Sequence, residues 1–402
     1  MKRALLIIPA LLVLSCAEPV DIAEFPEIAG TDQRSIEYLP ILPEWNGFNR
    51  PQDVHVGYDE LIYVADTEND RIVMLDINGT VLGVSQRIVR PVAVAQDRRL
   101  DLLVVGRLDT VVSSSAIQLA ALFRIPLVPV NHQIALSAPR AVVVHPTYIL
   151  GRSLRVSDSS AYFTGVATMA DNEYYVTRTG PSNASVVQAG GPDNNILRFS
   201  SNDVLISPLT AYLTATGTGK ASANELSAIT TYAVPPQRAE VDQRRSFVTA
   251  LRGINNFRVQ GMLYFESRED VGYMAEPAFD AIDTSAAHRF LYDCMPGDQI
   301  LGGCFVRPED VTYAADTRYV FVVDAATDSV YQFSSNGYEG IRPPAYSTER
   351  KNIIVSFGGT GTTATTFSEP HGIAYFEPGK ILIVADTGNN RLLRFRLSTD
   401  FE

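Results

Sequence analysis

Three short stretches set acid–base side chains within two residues after a proline: RPQDV (50–54), RPEDV (307–311) and EPHGI (369–373). A histidine and paired carboxylates are the groups that move protons near neutral pH or hold a hard cation through oxygen. The same place in six recurring units is taken by Gln52, Val92, Thr164, Ser227, Glu309 and His371, with Asp53 and Asp310 one step on. Gathered around one opening, Gln52, Asp53, Thr164, Ser227, Glu309, Asp310 and His371 would make a polar, unequal ring for a small ligand, with Ca2+ as the possible ion. Polar residues at such an opening also serve plain solvation.

The elements that would carry these residues are written in a repeat. VADTENDRI (64–72) returns as VADTGNNRL (384–392), each preceded by a short apolar strand and followed by an alternating one. Pro51, Val54, Val64, Asp66, Asn69 and Arg71 stand in register with Pro370, Ile373, Val384, Asp386, Asn389 and Arg391. After a β-branched run, Asp and Asn side chains accept nearby backbone N–H groups and tolerate the left-handed conformation, so the phrase specifies a tight hairpin whose Arg pairs with an Asp. Weaker copies begin at Pro91, Phe163, Leu226 and Pro308.

The repeat resembles the NHL repeat family of β-propellers, whose pattern runs close to P-x-G-I-A-V-D and then Y-V-A-D-T-G-N-N-R-I-Q-V-F. The resemblance is fullest at 50–75 and 369–395 and extends over about half the chain. It implies an all-β, six-bladed propeller in which each repeat builds one four-stranded blade. Too few residues follow Pro370 for a complete blade, so the strand-like segment 34–45 is expected to close the last one and remove an exposed sheet edge. A seventh blade over 138–157, PRAVVVHPTYIL included, is the alternative. Long departures near 110–160, 181–224 and 260–306 are read as insertions, the usual place for binding elements.

The resemblance also raises the possibility of a zinc site, because amidating lyases of this propeller family gather three histidines through Pro-His motifs. Only His371 stands so here; His55, His132, His145 and His288 do not, and a three-ligand catalytic zinc is not expected. The G-x-S-x-G, H-E-x-x-H and G-x-x-x-x-G-K-[ST] motifs are absent. FGGTGTTAT (357–365) precedes a repeat strand rather than a helix and reads as a loop. Asn78-Gly79-Thr80 and Asn183-Ala184-Ser185 match a glycosylation sequon but read as turns.

Residues 1–15 read as a signal: Lys2 and Arg3, an apolar run too short to span a bilayer, then Ser15 before Cys16. VLSC resembles the bacterial lipoprotein signal, which implies cleavage before Cys16, lipidation of its thiol and, with Ala17 next, sorting to the outer membrane. An ordinary cleaved signal is the alternative. Residues 16–33 are then a membrane-proximal linker and 34–402 the propeller. Cys294 and Cys304 are a disulfide candidate in an oxidising compartment, with two free thiols as the alternative. With 402 residues, 46% hydrophobic, and a net charge of -12, the chain buries a large core and repels phosphate backbones, so nucleic acid is excluded as a partner and a lipid anchor would be the only membrane contact. Together these features predict a non-catalytic propeller of the cell envelope that binds a protein or a small molecule. The alternative is a metal-assisted lyase or lactonase using His371, Glu309 and Asp310 at the channel mouth.

Overall fold

A strand covered on both faces has no reason to alternate polar with apolar residues. The second strands of the repeats do not: IYVAD, YVFVVD and ILIVAD are buried almost throughout. The computed structural model describes residues 36–183, 191–211, 223–232, 245–253, 258–266, 273–277, 305–334, 339–343 and 351–401. Among them there is no α-helix, and none is therefore long and apolar enough to cross a membrane.

Strands β1 (Tyr38–Pro40) and β2 (Trp45–Asn46) precede the first repeat. Blade one is β3 (Pro51–Val56), β4 (Ile62–Asp66), β5 (Arg71–Leu75) and β6 (Val81–Val84). Blade two is β7 (Val89–Gln96), β8 (Asp101–Val112), β9 (Ser115–Pro126) and β10 (Arg140–Val144). Blade three is β11 (Tyr162–Thr168), β12 (Tyr174–Thr179), β13 (Asn195–Phe199) and β14 (Leu205–Ala211). Blade four is β15 (Leu226–Thr231), β16 (Phe247–Leu251), β17 (Val259–Glu266) and β18 (Tyr273–Pro277). Blade five is β19 (Pro308–Ala314), β20 (Tyr319–Asp324), β21 (Ser329–Ser334) and β22 (Phe357–Gly358). Blade six is β23 (Gly372–Phe376), β24 (Ile381–Asp386) and β25 (Arg391–Leu397), with β1 as its fourth strand.

Each blade is an antiparallel meander, and each first strand lies against the first strands of its two neighbours, β23 returning to β3, so the ring is closed. Six apolar clusters fill the spaces between adjacent blades. Val64 of β4 packs toward Ile383 of blade six, while Tyr63 and Ala65 of the same strand pack toward Leu102 and Val104 of blade two. Alternation along a strand thus divides its side chains between two apolar interfaces instead of between core and solvent. Blades three and four are further joined at the rim, where β14 and β18 pair in parallel at Thr210 with Met274 and Ala211 with Ala275.

The departures from the repeat in blade two are not departures from the blade. Residues 101–112 and 115–126 form one long hairpin, β8 with β9, and β10 pairs antiparallel with β9 from Arg140 against Arg124 to Val144 against Ala121. Residues 140–144 are therefore the outer strand of blade two, and the seven-blade alternative falls. Asn78-Gly79 is a hairpin turn as expected: Gly79 has φ +88, and a Cβ there would strike the Trp45 indole.

Closure joins the two ends of the propeller. Tyr38, Leu39 and Pro40 pair with Leu397, Arg396 and Phe395, and Trp45 and Asn46 continue along the same strand opposite Leu392 and Arg391. Tyr38 is 7% exposed, packs edge-on against Phe321, and its hydroxyl donates to Gln332 Oε1 at 2.8 Å. Removing the ring leaves a cavity between blades five and six, so Tyr38→Ala should cost about 3 to 5 kcal/mol of unfolding free energy in urea titrations. A loss under about 1 kcal/mol would mean that closure does not rest on β1.

Candidate functional site

The repeated phrase builds a buried lock at the end of each second strand where it is best preserved. Asp66 accepts from Asn49 N at 2.7 Å, Asn69 Nδ2 at 2.8 Å and Arg71 Nε at 2.6 Å. Asp386 accepts from Ser368 N at 2.7 Å, Asn389 Nδ2 at 2.8 Å and Arg391 Nε at 2.8 Å. The left-handed residues are Asp70 and Asn390, which follow the Asn. The Thr of the phrase reaches into the next blade, Thr67 Oγ1 donating to Pro91 O at 2.7 Å and Thr387 Oγ1 to Pro51 O at 2.5 Å. The phrase is a hairpin and an inter-blade fastening, with its Asp and Arg side chains occupied by the protein.

At the start of the inner strands the pairing slips by one residue, between Pro51 and Asp53, Phe163 and Gly165, Leu226 and Ala228, and Pro308 and Asp310. Gln52, Thr164, Ser227 and Glu309 are the extra residues of these bulges, which re-aim consecutive side chains. Thr164 bonds Thr177 across β12, and Ser227 Oγ donates to Pro308 O of blade five at 2.7 Å. Glu309, 4% exposed in its side chain, receives Arg252 through Nε at 2.8 Å and Nη2 at 2.5 Å, and Arg307 Nε stands at 3.3 Å. Arg307 also faces Glu369, which pairs with Arg50 at 2.9 Å. His371 Nδ1 donates to Glu369 O at 3.0 Å, which leaves Nε2 as the acceptor nitrogen, 3.7 Å from Glu309 Oε1. Burial lowers the His371 pKa. This end is a chain of alternating charges stitching blades four, five, six and one.

The open volume lies on the other side of that level. A cavity of about 590 Å³ runs along the inner strands from Asp53 and Asp310 to the hairpins that follow them. Of the seven sequence-selected positions only Asp53 and Asp310 line it; Gln52, Thr164, Ser227, Glu309 and His371 do not. Strands β23 and β3 nearly touch here: a Cβ on Gly372 would stand 2.6 Å from the Asp53 Cα. Each Asp bonds two backbone N–H groups, its own successor and one of the next blade: Val54 N and Val94 N on Asp53, both at 2.7 Å, and Val311 N at 2.7 Å and Ile373 N at 2.8 Å on Asp310. Burial nevertheless pushes Asp53 up to about 7, and burial together with the like charge of Asp53 pushes Asp310 well up. Among the described residues no three His, Cys, Asp or Glu side chains gather as a metal-holding group.

Sequence reading missed the residues that give this cavity its character: His55, Tyr58, Tyr313 and Tyr375. His55 Nε2 accepts from Gln96 N at 3.1 Å, so Nδ1 carries the proton, and burial lowers its pKa to about 4. Tyr375 Oη donates to Asp316 Oδ2 at 3.1 Å, and Tyr313 meets Tyr232 edge-on at 5.0 Å. A usable signal was present: Tyr313 and Tyr375 sit at the same offset from their leading prolines, Pro308 and Pro370. Cys16, Cys294 and Cys304 lie outside the described residues.

The fold defines a class: a six-bladed β-propeller with an axial cavity. Residues 367–395 match the family model of the NHL repeat, and the chain is a six-bladed β-propeller carrying that repeat. No curated protein matches the sequence. Among solved structures, the chain is similar to the PQQ-bound form of aldose sugar dehydrogenase from Streptomyces coelicolor, with 10% identity, 90% of this chain and 99% of that chain covered, and a TM-score of 0.52. An auxiliary nutrient binding protein from Bacteroides thetaiotaomicron is similar at 10% identity over 87% of this chain and 70% of that one, with a TM-score of 0.50. At such identities the likeness is one of fold.

The Asp pair gives a titration test. An unfolded Asp ionises near 4 and Asp53 near 7, so the carboxyl's contribution to stability is complete below about 4 and is lost as pH rises toward 7. His55 acts in the opposite sense between about 6.5 and 4, so the test compares wild type with Asp53→Asn. The infrared difference between the two should contain a protonated carboxyl band that fades near pH 7, and the stability gap should shrink from pH 5 to pH 8. A band gone by about pH 4.5 would contradict the assignment.

Proposed function

We propose that this protein is a non-catalytic binding propeller of the bacterial cell envelope, held by a lipid on Cys16, and that it takes a small molecule into its axial cavity. The observation that carries the reading is the cavity itself, about 590 Å³ and walled by both polar and apolar side chains. Clefts that hold small ligands fall in the range of roughly 300 to 1,000 Å³. At the opposite end of the channel, Glu309 is held by Arg252 and Arg307, and His371 donates through Nδ1 to Glu369 O with Nε2 turned to Glu309. The carboxylate of that end is engaged in ion pairs, which favours binding in the cavity over acid–base work by Glu309.

Two measurements test the proposal. A panel of neutral sugars, organic amines and organic acids is screened by thermal shift against the wild type and against Thr230→Trp, which places an indole in the cavity. At a hundredfold excess over its Kd, a binder stabilises the fold by about 2.7 kcal/mol. At least one compound should raise the wild-type melting temperature and leave the variant unmoved; a silent panel, or equal shifts in both proteins, counts against the site. For the anchor, labelled palmitate should be incorporated in a bacterial host and vanish in Cys16→Ser, and retained label would remove the anchor.

A further inference from the structure

We infer that the axial cavity selects an organic ammonium cation, a protonated amine or a quaternary ammonium of small-molecule size. The inference rests on the cavity reading above and names its ligand class.

The cavity wall is divided. Blades five, six and one each contribute a tyrosine and, two or three residues later at the hairpin rim, a carboxylate: Tyr313 with Asp316, Tyr375 with Glu377, Tyr58 with Glu60. The three blades are consecutive around the ring, so aromatic rings and acids occupy one continuous half of the wall. Blades two, three and four supply small apolar and hydroxyl groups, among them Val94, Ile229 and Thr230. Among the described residues neither Lys nor Arg lines the cavity. Arg98 acts electrostatically on Tyr58 but is not part of the wall, and its Nη1 donates to Ala170 O at 2.7 Å.

The tyrosine and carboxylate half of that wall favours positive charge in the guest. A carboxylate accepts hydrogen bonds and gives none, and the face of a tyrosine ring attracts a cation through its quadrupole. The Tyr375 hydroxyl already donates its hydrogen bond to Asp316. An anion would meet carboxylates in a wall whose described residues include neither Lys nor Arg. A polyhydroxylated neutral guest would find hydroxyl donors on the threonines and tyrosines but no use for the rim carboxylates' charge, and among the described residues of the wall there is no Asn, Gln, Trp, Lys or Arg. The apolar half suits the alkyl groups of an amine. The net charge of -12 adds an attractive field at long range.

Calorimetry of the full propeller with choline, ethanolamine and 3,3-dimethylbutan-1-ol tests this. The last has the shape of choline without its charge; the first two separate quaternary from protonated primary ammonium. At least one of the two cations should bind, at least about tenfold more tightly than the neutral isostere if choline is the binder. That binding should be abolished by Thr230→Trp and weakened about two- to fivefold by Asp316→Asn, whose carboxylate is exposed at the rim. Raising the salt concentration should weaken it further. If the isostere or glucose binds as well as either cation, and Thr230→Trp abolishes that binding, the cavity stands and the cation class is overturned. If neither cation binds, the cation inference falls, and the wider thermal-shift panel alone then decides the cavity reading.

Discussion

The propeller depends on a carboxylate placed out of water at the end of a second strand. Asp66 and Asp386 are fully buried, and each draws three donors onto itself: the backbone N–H leading into the inner strand, the Asn of the turn and the Arg of the third strand. A buried charge is tolerated only when its oxygens are filled, and here the filling groups come from three separate points of the chain. Asp324 of blade five, without the Arg, collects backbone N–H groups from Val306, Arg307, Ala326 and Thr327. The same carboxylate thus fixes a turn, the entry to the blade and the spacing between first and third strands. With the turn fixed, the Thr that follows Asp66 and Asp386 is in place to fasten the next blade.

That local device explains why the two ends of the channel differ. At the end where inner strands begin, every blade must be entered and tied to its neighbour, and charged side chains do the tying, Glu309 with Arg252 and Arg307, and Glu369 with Arg50. Past the Asp53 and Asp310 level the ties between blades are individual hydrogen bonds and ring contacts: Gln96 N donates to His55, Thr231 Oγ1 to Thr168 O and Tyr375 Oη to Asp316, and Tyr313 meets Tyr232. These ties differ from blade to blade, and the tyrosines and acids of the wall fall on one half of it.

Much of this was legible in the residues. The matching phrases at 64–72 and 384–392, the leading residues of the six units and the shortage of chain after Pro370 specified blade count, inner strands and closure by the segment before Pro51. Blade two was obscured because β8 and β9 lack the Asp-Thr-x-Asn-x-Arg turn, so the repeat pattern breaks off near residue 110 although 113–130 is apolar enough for blade strands. The strand PRAVVV looked like a new blade because sequence does not reveal that Arg140 lies opposite Arg124. The bulges were equally hidden; with them, adjacent residues such as Glu309 and Asp310 point to different places, one into an ion-pair chain and the other to the cavity wall. The cavity tyrosines could be counted in register, but their meaning required knowing on which side of the Asp53 level the space opens.

The pairing of Tyr38 with Leu397 spans almost the whole polypeptide. Until β25 is in place β1 has no partner, so the ring stays open while the strands between them fold. A chain lacking β25 would carry two raw margins, one on β1 and one on β24. The circle thus closes only once both of these strands are present.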